Sequence, residues 1–248
     1  MSARLHVDAS FVAGAMLVLP AGAARHVQVL RLQPGAVLRL FDGRGLECPA
    51  EIVSIGRSDV EVRLGAPVAV DRELSIAVTL AVGMPANERM DALVEKACEL
   101  GAAAIEPLVC ARSVLRLDGE RAAKRRAHWQ AVAIAAAEQC GRTRVPQVAL
   151  PTPFAAWLAA LDAEAGAGST RVLLSLDTDA TPLARCLDAA VPLARLRLLS
   201  GPEGGLAPDE EGAARRAGFE AASLGARVLR ADTAPLAALA VVGAWTPR

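Results

Sequence analysis

The chain contains no tyrosine, and aromatic residues make up 3% of its 248 positions. Proteins that hold many unpaired bases do so on aromatic platforms, so a general single-strand stacking surface is not expected. No uninterrupted apolar run approaches the ~20 residues that span a bilayer. The opening Met-Ser-Ala-Arg-Leu-His-Val-Asp lacks a long apolar signal region. A cytoplasmic protein with no membrane partner is the reading. The five cysteines (Cys48, Cys98, Cys110, Cys140, Cys186) are scattered, odd in number, and form no Cys-x-x-Cys pair. His6, His26 and His128 share no ligand spacing. Reduced, mostly buried thiols and no metal site are expected. The formal net charge is zero, which argues against the broad basic footprint of a general nucleic-acid binder.

What is present is ample core material. Hydrophobic residues make up 53% and charged residues 22% of the chain, a balance that argues against disorder. The length suits one large or two modest domains. Zero net charge also hides a local excess. From Arg112 to Arg144 there are eight basic residues (Arg112, Arg116, Arg121, Lys124, Arg125, Arg126, Arg142, Arg144) against three acidic ones (Asp118, Glu120, Glu138). This is either a phosphate-binding surface or a solvated helix face.

Two rhythms follow one another along the chain. Up to about Val70 the pattern is of short strands: Val37–Phe41, the turn signal Asp42-Gly43, Leu46–Ile55, a second turn at Gly56–Asp59, and the alternating Val60–Leu64. This predicts a small antiparallel barrel or sheet. From Leu74 onward apolar strands alternate with helical segments. Strands are read at Ser75–Val82, Ala104–Val109, Arg171–Leu176 and Leu196–Ser200, with a short one at Val145–Leu150. Helices are read at Met90–Gly101, Gly119–Cys140, Phe154–Ala165, Leu206–Phe219 and Ala234–Trp245. That rhythm predicts an α/β domain with a parallel sheet covered on both faces. The boundary is expected between Pro67 and Ser75, giving domains 1–72 and 73–248.

The most informative segments lie near the C-terminus. Arg197-Leu-Leu-Ser-Gly-Pro-Glu-Gly-Gly-Leu206 and Ser223-Leu-Gly-Ala-Arg-Val-Leu-Arg-Ala-Asp-Thr-Ala234 each run a strand into a glycine-bearing corner. Glycine permits positive φ and lets a ligand approach the backbone. Amide and carbonyl groups exposed at strand ends can then read the edge of a flat heterocycle.

Together with Arg89–Gly101, Glu138-Gln-Cys-Gly-Arg142 followed by Val145-Pro146, and His26–Arg31, this pair resembles the ribosomal RNA small subunit methyltransferase E family of the SPOUT superfamily. The resemblance spans nearly the whole chain. It implies methylation of N3 of a uridine in 16S ribosomal RNA, at uridine 1498. The implied methyl donor is S-adenosylmethionine, and the implied context is the small ribosomal subunit. It further implies a PUA-like RNA-binding barrel, a deep C-terminal trefoil knot and a homodimer. The apolar last helix (Leu236, Leu239, Val241, Val242, Trp245) is a candidate dimer face. A non-catalytic assembly factor and a ribose 2′-O-methyltransferase are the competing readings; the glycines at Gly201, Gly204, Gly205 and Gly225 argue against the first.

On this resemblance the cofactor pocket takes Ser175, Leu176, Gly201, Pro202, Glu203, Gly204, Gly205, Ser223, Leu224, Gly225, Val228, Leu229 and Arg230. Removing the N3 proton leaves negative charge on the base, and a cation near O2 or O4 would stabilise it. Arg230 either does this or pairs with Asp232. Glu203 contacts the cationic donor, assists proton loss, or orders its turn. Arg25, His26, Arg31, Arg112 and Arg142 are the candidate RNA contacts; Arg142 alternatively pairs with Glu138 at i,i+4 spacing. The chain departs from the family pattern at Asp232, where a Glu is usual, and at Ala207, where a Ser often precedes the helix.

Overall fold

The computed structural model describes residues 3–86, 89–161 and 168–245. The chain divides into two units, Met1–Glu73 with Ile134–Val145, and Leu74–Ala133 with Pro146–Arg248. A linear reading of the sequence gives no hint that 134–145 returns to the first unit.

The first unit holds strands β1 (Arg4–His6), β2 (Met16–Val18), β3 (Val37–Phe41), β4 (Leu46–Ile55), β5 (Val60–Leu64) and β6 (Val68–Ala69), with helix α1 (Ala21–Val29). The sheet order is β1-β3-β4-β5-β2, with β6 paired to β4. Alternation in β5 buries Val60, Val62 and Leu64, which join Leu38, Leu40 and Ile52 in one apolar core. The β3–β4 turn is held by Asp42, whose Oδ1 accepts from the amides of Arg44 at 2.8 Å and Leu46 at 2.9 Å. Two expectations are corrected here. The sheet is mixed, because β1 pairs β3 in parallel. The stretch read only as strands also contains α1, whose alanines favour a helix and which buries Ala24 and Val27.

A polar network fastens 134–145 into this unit. Arg142 is 4% exposed, and its Nε donates to Glu73 at 3.1 Å while its Nη2 makes a close second contact. Arg4 reaches the Arg142 carbonyl at 3.0 Å and also pairs with the buried Glu47. Glu138 accepts from the backbone N–H of His6 at 2.9 Å and lies 3.7 Å from His26. The reading of Arg142 as an RNA contact is therefore corrected. It is buried, and it pairs with the carboxylate of Glu73.

The second unit carries β7 (Ala77–Gly83), α2 (Arg89–Glu99), β8 (Ala104–Val109), α3 (Gly119–Cys140), β9 (Gln147–Val148), β10 (Thr152–Pro153), α4 (Phe154–Ala160), β11 (Ser169–Leu174), β12 (Thr181–Pro182), α5 (Leu183–Ala189), β13 (Arg195–Ser200), α6 (Pro208–Arg216), β14 (Glu220–Ser223) and α7 (Thr233–Trp245). The end of α3 belongs to the segment assigned to the first unit. The sheet runs β10-β8-β7-β13-β11-β14-β12 with β9 beside β8, and its pairings are parallel. Leu199 and Ala81 on one face pack with Phe154, Trp157 and Phe219. On α7, Pro235, Ala238, Leu239 and Val242 are buried, and the helix packs on α2, α5, β7 and β13. Of the candidate dimer face, Leu239 and Val242 are covered within the chain, while Leu236, Val241 and Trp245 are half-buried. The helix read to Ala165 is described to Ala160, with residues 162–167 outside the described set. No described helix is long and apolar enough to cross a membrane.

Removing one partner of a buried pair leaves an uncompensated charge, at a cost of about 3–5 kcal/mol. Arg142→Ala should therefore lower the stability of the protein by roughly 3 kcal/mol in urea denaturation. A change within 0.5 kcal/mol, the ordinary range for surface substitutions, would show the pair to be exchangeable with solvent.

Candidate functional site

Parallel sheets bind ligands in the crevice outside the carboxyl ends of their strands. Here β13, β11 and β14 are neighbours, and a cavity of about 660 Å³ opens where they end. That volume lies within the range of small-molecule sites. The cavity is lined by Ser175 and Leu176 after β11, by Gly201–Leu206 after β13, and by Leu224, Gly225, Val228, Leu229 and Arg230 after β14. Three corners distant in sequence converge because their strands are adjacent and parallel. Of the residues expected in the pocket, Ser223 alone does not line it. Its Oγ accepts from the Gly225 N–H at 3.1 Å, so it orders the turn.

The corner after β13 is built of backbone packed on backbone. A Cβ on Gly201 would lie 2.6 Å from the Leu206 nitrogen and 2.7 Å from the Gly205 carbonyl carbon. A Cβ on Gly83, at the end of β7, would lie 2.4 Å from the Pro202 nitrogen. Gly205 has φ +68° and Gly225 has φ +100°, with open space around each. Gly204 faces the Arg112 side chain, 3.2 Å from where its Cβ would stand. The glycines therefore act in three ways: close approach at Gly201, backbone conformation at Gly205 and Gly225, and room for Arg112 at Gly204.

Neighbouring loops are tied to this corner by side chains. Arg112 donates to the carbonyls of Gly204 at 2.8 Å and Leu206 at 3.2 Å. Glu210, at the start of α6, accepts from the N–H groups of Ala207 at 2.9 Å and Ala111 at 2.8 Å. Glu210 thus makes the reciprocal half of a capping box, while alanine at 207 offers no acceptor to the first helical amides. Glu203 accepts from the Ala86 N–H at 2.8 Å, which favours turn ordering over contact with a cation. Glu211 accepts from Ser175 and Arg215, and Arg215 also binds Asp177 at 2.6 Å. The hydrogen bond to Glu211 holds the Arg215 guanidinium more firmly protonated than usual.

The candidate RNA contacts separate. Arg25 and Arg31 are exposed on and after α1, and His26 is half-buried beside Glu138. Arg112 is exposed and lines the cavity, with its Nη1 donating to loop carbonyls. Arg230 is exposed at the cavity and, among the described residues, has no side-chain hydrogen bond or ion pair; in particular it does not pair with Asp232. Arg89, Arg227 and Ser200 also line the cavity. The sequence reading passed over all three. Their signal was position: each sits at or just beyond the carboxyl end of a parallel strand, or within a corner already singled out.

Residues 72–243 match the family described as RNA methyltransferase domain, and residues 19–65 match the RNA methyltransferase PUA domain. A ribosomal RNA small subunit methyltransferase E of Mycobacterium bovis is 36% identical over 98% of this chain and 92% of its own length. The chain belongs to the ribosomal RNA small subunit methyltransferase E family. Two solved structures extend the likeness to three dimensions. A ribosomal RNA small subunit methyltransferase E from Neisseria gonorrhoeae, bound to S-adenosyl methionine, superposes with a TM-score of 0.87 at 33% identity, covering 97% of this chain and 96% of its own. A methyltransferase from Legionella pneumophila with bound SAM gives 0.89 at 32% identity, covering 98% of each chain. The match at 19–65 lies within the first unit, whereas the match at 72–243 takes in most of the second unit together with 134–145 of the first.

The glycine geometry orders a substitution series. Gly201→Ala forces backbone to move and should destabilise the second unit by more than about 3 kcal/mol, whereas Gly205→Ala and Gly225→Ala carry only backbone strain of about 1 kcal/mol each. Urea melts of the three variants check this, and equal effects would contradict the assigned roles. Arg112→Ala should loosen the same corner, read as faster amide exchange at Gly204–Leu206 with little change in global stability.

Proposed function

We propose that this protein transfers a methyl group from S-adenosylmethionine to N3 of a uridine in 16S ribosomal RNA, uridine 1498 by family resemblance. The observation that carries the reading is the convergence of three corners, two of them glycine-bearing, on one cavity at the carboxyl ends of β11, β13 and β14. The residues present fit such a donor. The cavity combines buried apolar lining (Leu173, Leu206, Ala222, Ala231), a glycine corner where backbone is open to a ligand, and the charged groups Arg89, Arg112, Arg227, Arg230, Asp177, Glu203 and Glu211.

When bound, the donor supplies an electrophilic methyl carbon on a sulfonium. The protein's contribution is placement and electrostatics. The glycine corners present main-chain donors and acceptors that hold a heterocycle edge. Arg112 and Glu210 fix the corner so that those groups are preorganised. Arg230, exposed and unpaired, is the candidate to stabilise the negative charge that grows on O2 or O4 as N3 loses its proton. Glu203 positions the loop after β7 through Ala86. Arg25, His26 and Arg31 on the first unit are the candidate phosphate contacts.

The finer architecture belongs to the same proposal. We read the six-stranded sheet as a PUA-like barrel that binds RNA. We read the second unit as a SPOUT domain with a trefoil knot, supported by β13 lying between β7 and β11 while β14 lies on the far side of β11. The catalytic form is proposed to be a cytoplasmic homodimer acting on the small ribosomal subunit. The exposed Leu176 and Val228 at the cavity are apolar groups that a second copy would cover.

Mass spectrometry of 16S ribosomal RNA from a deletion strain should show loss of one N3-methyluridine, restored by complementation. Ribose methylation in its place would overturn the reading. Arg230→Ala should lower the single-turnover rate on bound RNA by about 10²-fold while leaving methyl-donor affinity nearly unchanged; a full rate would make the residue structural. RNA affinity should fall steeply with salt, and light scattering should give twice the 25.6 kDa chain mass.

A further inference from the structure

The three corners that meet at the cavity are held in different ways. Those after β13 and β14 depend on glycine, through backbone packed on backbone or a positive φ. The corner after β11, residues 175–180, contains no glycine. Its main chain is anchored at the two ends, where the Ser175 N–H donates to the Ala222 carbonyl at 2.9 Å and Thr181 pairs with Ala222 in the sheet. Ala180 closes a local turn onto the Asp177 carbonyl. Leu176, Asp177, Thr178 and Asp179 are all exposed, so burial does not fix this corner.

Side chains fix it instead, in a closed ring of hydrogen bonds. One nitrogen of Arg215, Nη2, donates to Asp177 Oδ2 at 2.6 Å and to Glu211 Oε1 at 3.0 Å. The same Glu211 oxygen accepts from Ser175 Oγ at 3.2 Å, and Ser175 Oγ accepts from the Asp177 N–H at 3.1 Å. Ser175, Asp177 and Glu211 line the cavity; Arg215 does not. Arg215 lies near the end of α6, whose start is tied by Glu210 to Ala111 and Ala207 and whose Ala214 is fully buried. The guanidinium therefore joins the corner that sterics leaves loose to an element that sterics has placed. A lone surface ion pair contributes little, but this one closes a ring. Without it Asp177 and Glu211 would be like charges joined only through Ser175. We propose that Arg215 is a positioning residue for ligand binding: it holds the corner after β11 in place as a wall of the cavity without touching the ligand. This rests on the methyl-donor reading above and adds to it an electrostatic dependence that the glycine corners do not have.

The test titrates S-adenosylmethionine by calorimetry into the wild-type, Arg215→Ala and Arg215→Lys proteins at low salt and at about 0.5 M sodium chloride, where charges are strongly screened. Amide exchange of the ligand-free proteins is compared at Leu176 and Asp177 and across Gly201–Leu206. At low salt Arg215→Ala should weaken binding about fivefold, the upper range for an exposed ion pair. Arg215→Lys should recover most of that loss, because the charge returns. At the higher salt the gap between wild type and Arg215→Ala should narrow to about twofold. Exchange at Leu176 and Asp177 should be about fivefold faster in Arg215→Ala, with Gly201–Leu206 unchanged. Wild-type affinity in Arg215→Ala at low salt overturns the proposal. So does a loss that Arg215→Lys fails to recover or that salt leaves unchanged, because the side chain would then act through packing. Faster exchange that extends to Gly201–Leu206 also overturns it, since the residue would then support the domain at large. Wild-type protein that binds no S-adenosylmethionine overturns the methyl-donor reading instead, and the exchange comparison, made without ligand, still decides whether Arg215 holds the wall.

Discussion

Everything at the cavity depends on one steric constraint: main chain packed against main chain where β13 leaves the sheet. The end of β7 at Gly83 meets the backbone at Gly201 and Pro202, and Gly201 in turn meets Gly205 and Leu206. A single methyl group at either glycine would push these segments apart. Because the approach is that close, the corner folds over the sheet edge instead of extending away from it, and the peptide groups of Gly201–Leu206 become a wall. The same contact sets where α6 begins, since Pro208 follows directly. Cavity, corner and helix start are consequences of one packing decision.

Electrostatics then divides the charged residues into those used up inside the protein and those left over. Glu210 and Glu203 saturate backbone amides, while Glu211 and Asp177 share Arg215. Arg112 is directed to carbonyl oxygens. Arg230 is left with none of these commitments and stands exposed at the cavity. An acidic set that is internally satisfied beside an uncommitted guanidinium gives a region that favours an anion. That suits both a phosphate backbone and a base that becomes negative during reaction.

Much of this was legible in the sequence because its signals are local. Strands β3, β4 and β5 and helix α3 follow from alternation, turn residues and alanine content, and fall on the residues read for them. The corners after β13 and β14 were legible because glycine clusters at strand ends have few structural uses. Helix α1 was missed because nine residues of mixed alanine, glycine and valine between strands carry too weak a period. The partners of Arg142 and Arg112 were missed for a different reason. A basic residue looks the same in sequence whether it faces phosphate, a carboxylate or a carbonyl, and only tertiary placement distinguishes these. Helix α7, with Leu239 and Val242 buried and Leu236, Val241 and Trp245 half-buried, shows the limit of hydrophobic-pattern arguments, since an apolar helix does not record what covers it.

The first unit's dependence on 134–145 has a consequence for how the protein is made. Glu73 meets its partner Arg142 across 69 positions of sequence. A growing chain that has just released β6 from the ribosome still lacks the cation that neutralises Glu73, the Arg142 carbonyl that Arg4 binds, and the Glu138 side chain that caps the His6 amide. The N-terminal sheet must then wait, incompletely satisfied, while β7, α2, β8 and α3 are synthesised. Its maturation during translation is therefore coupled to that of the domain that follows it. Separating the two at the residue where the strand rhythm changes would cut a chain, not a folding unit.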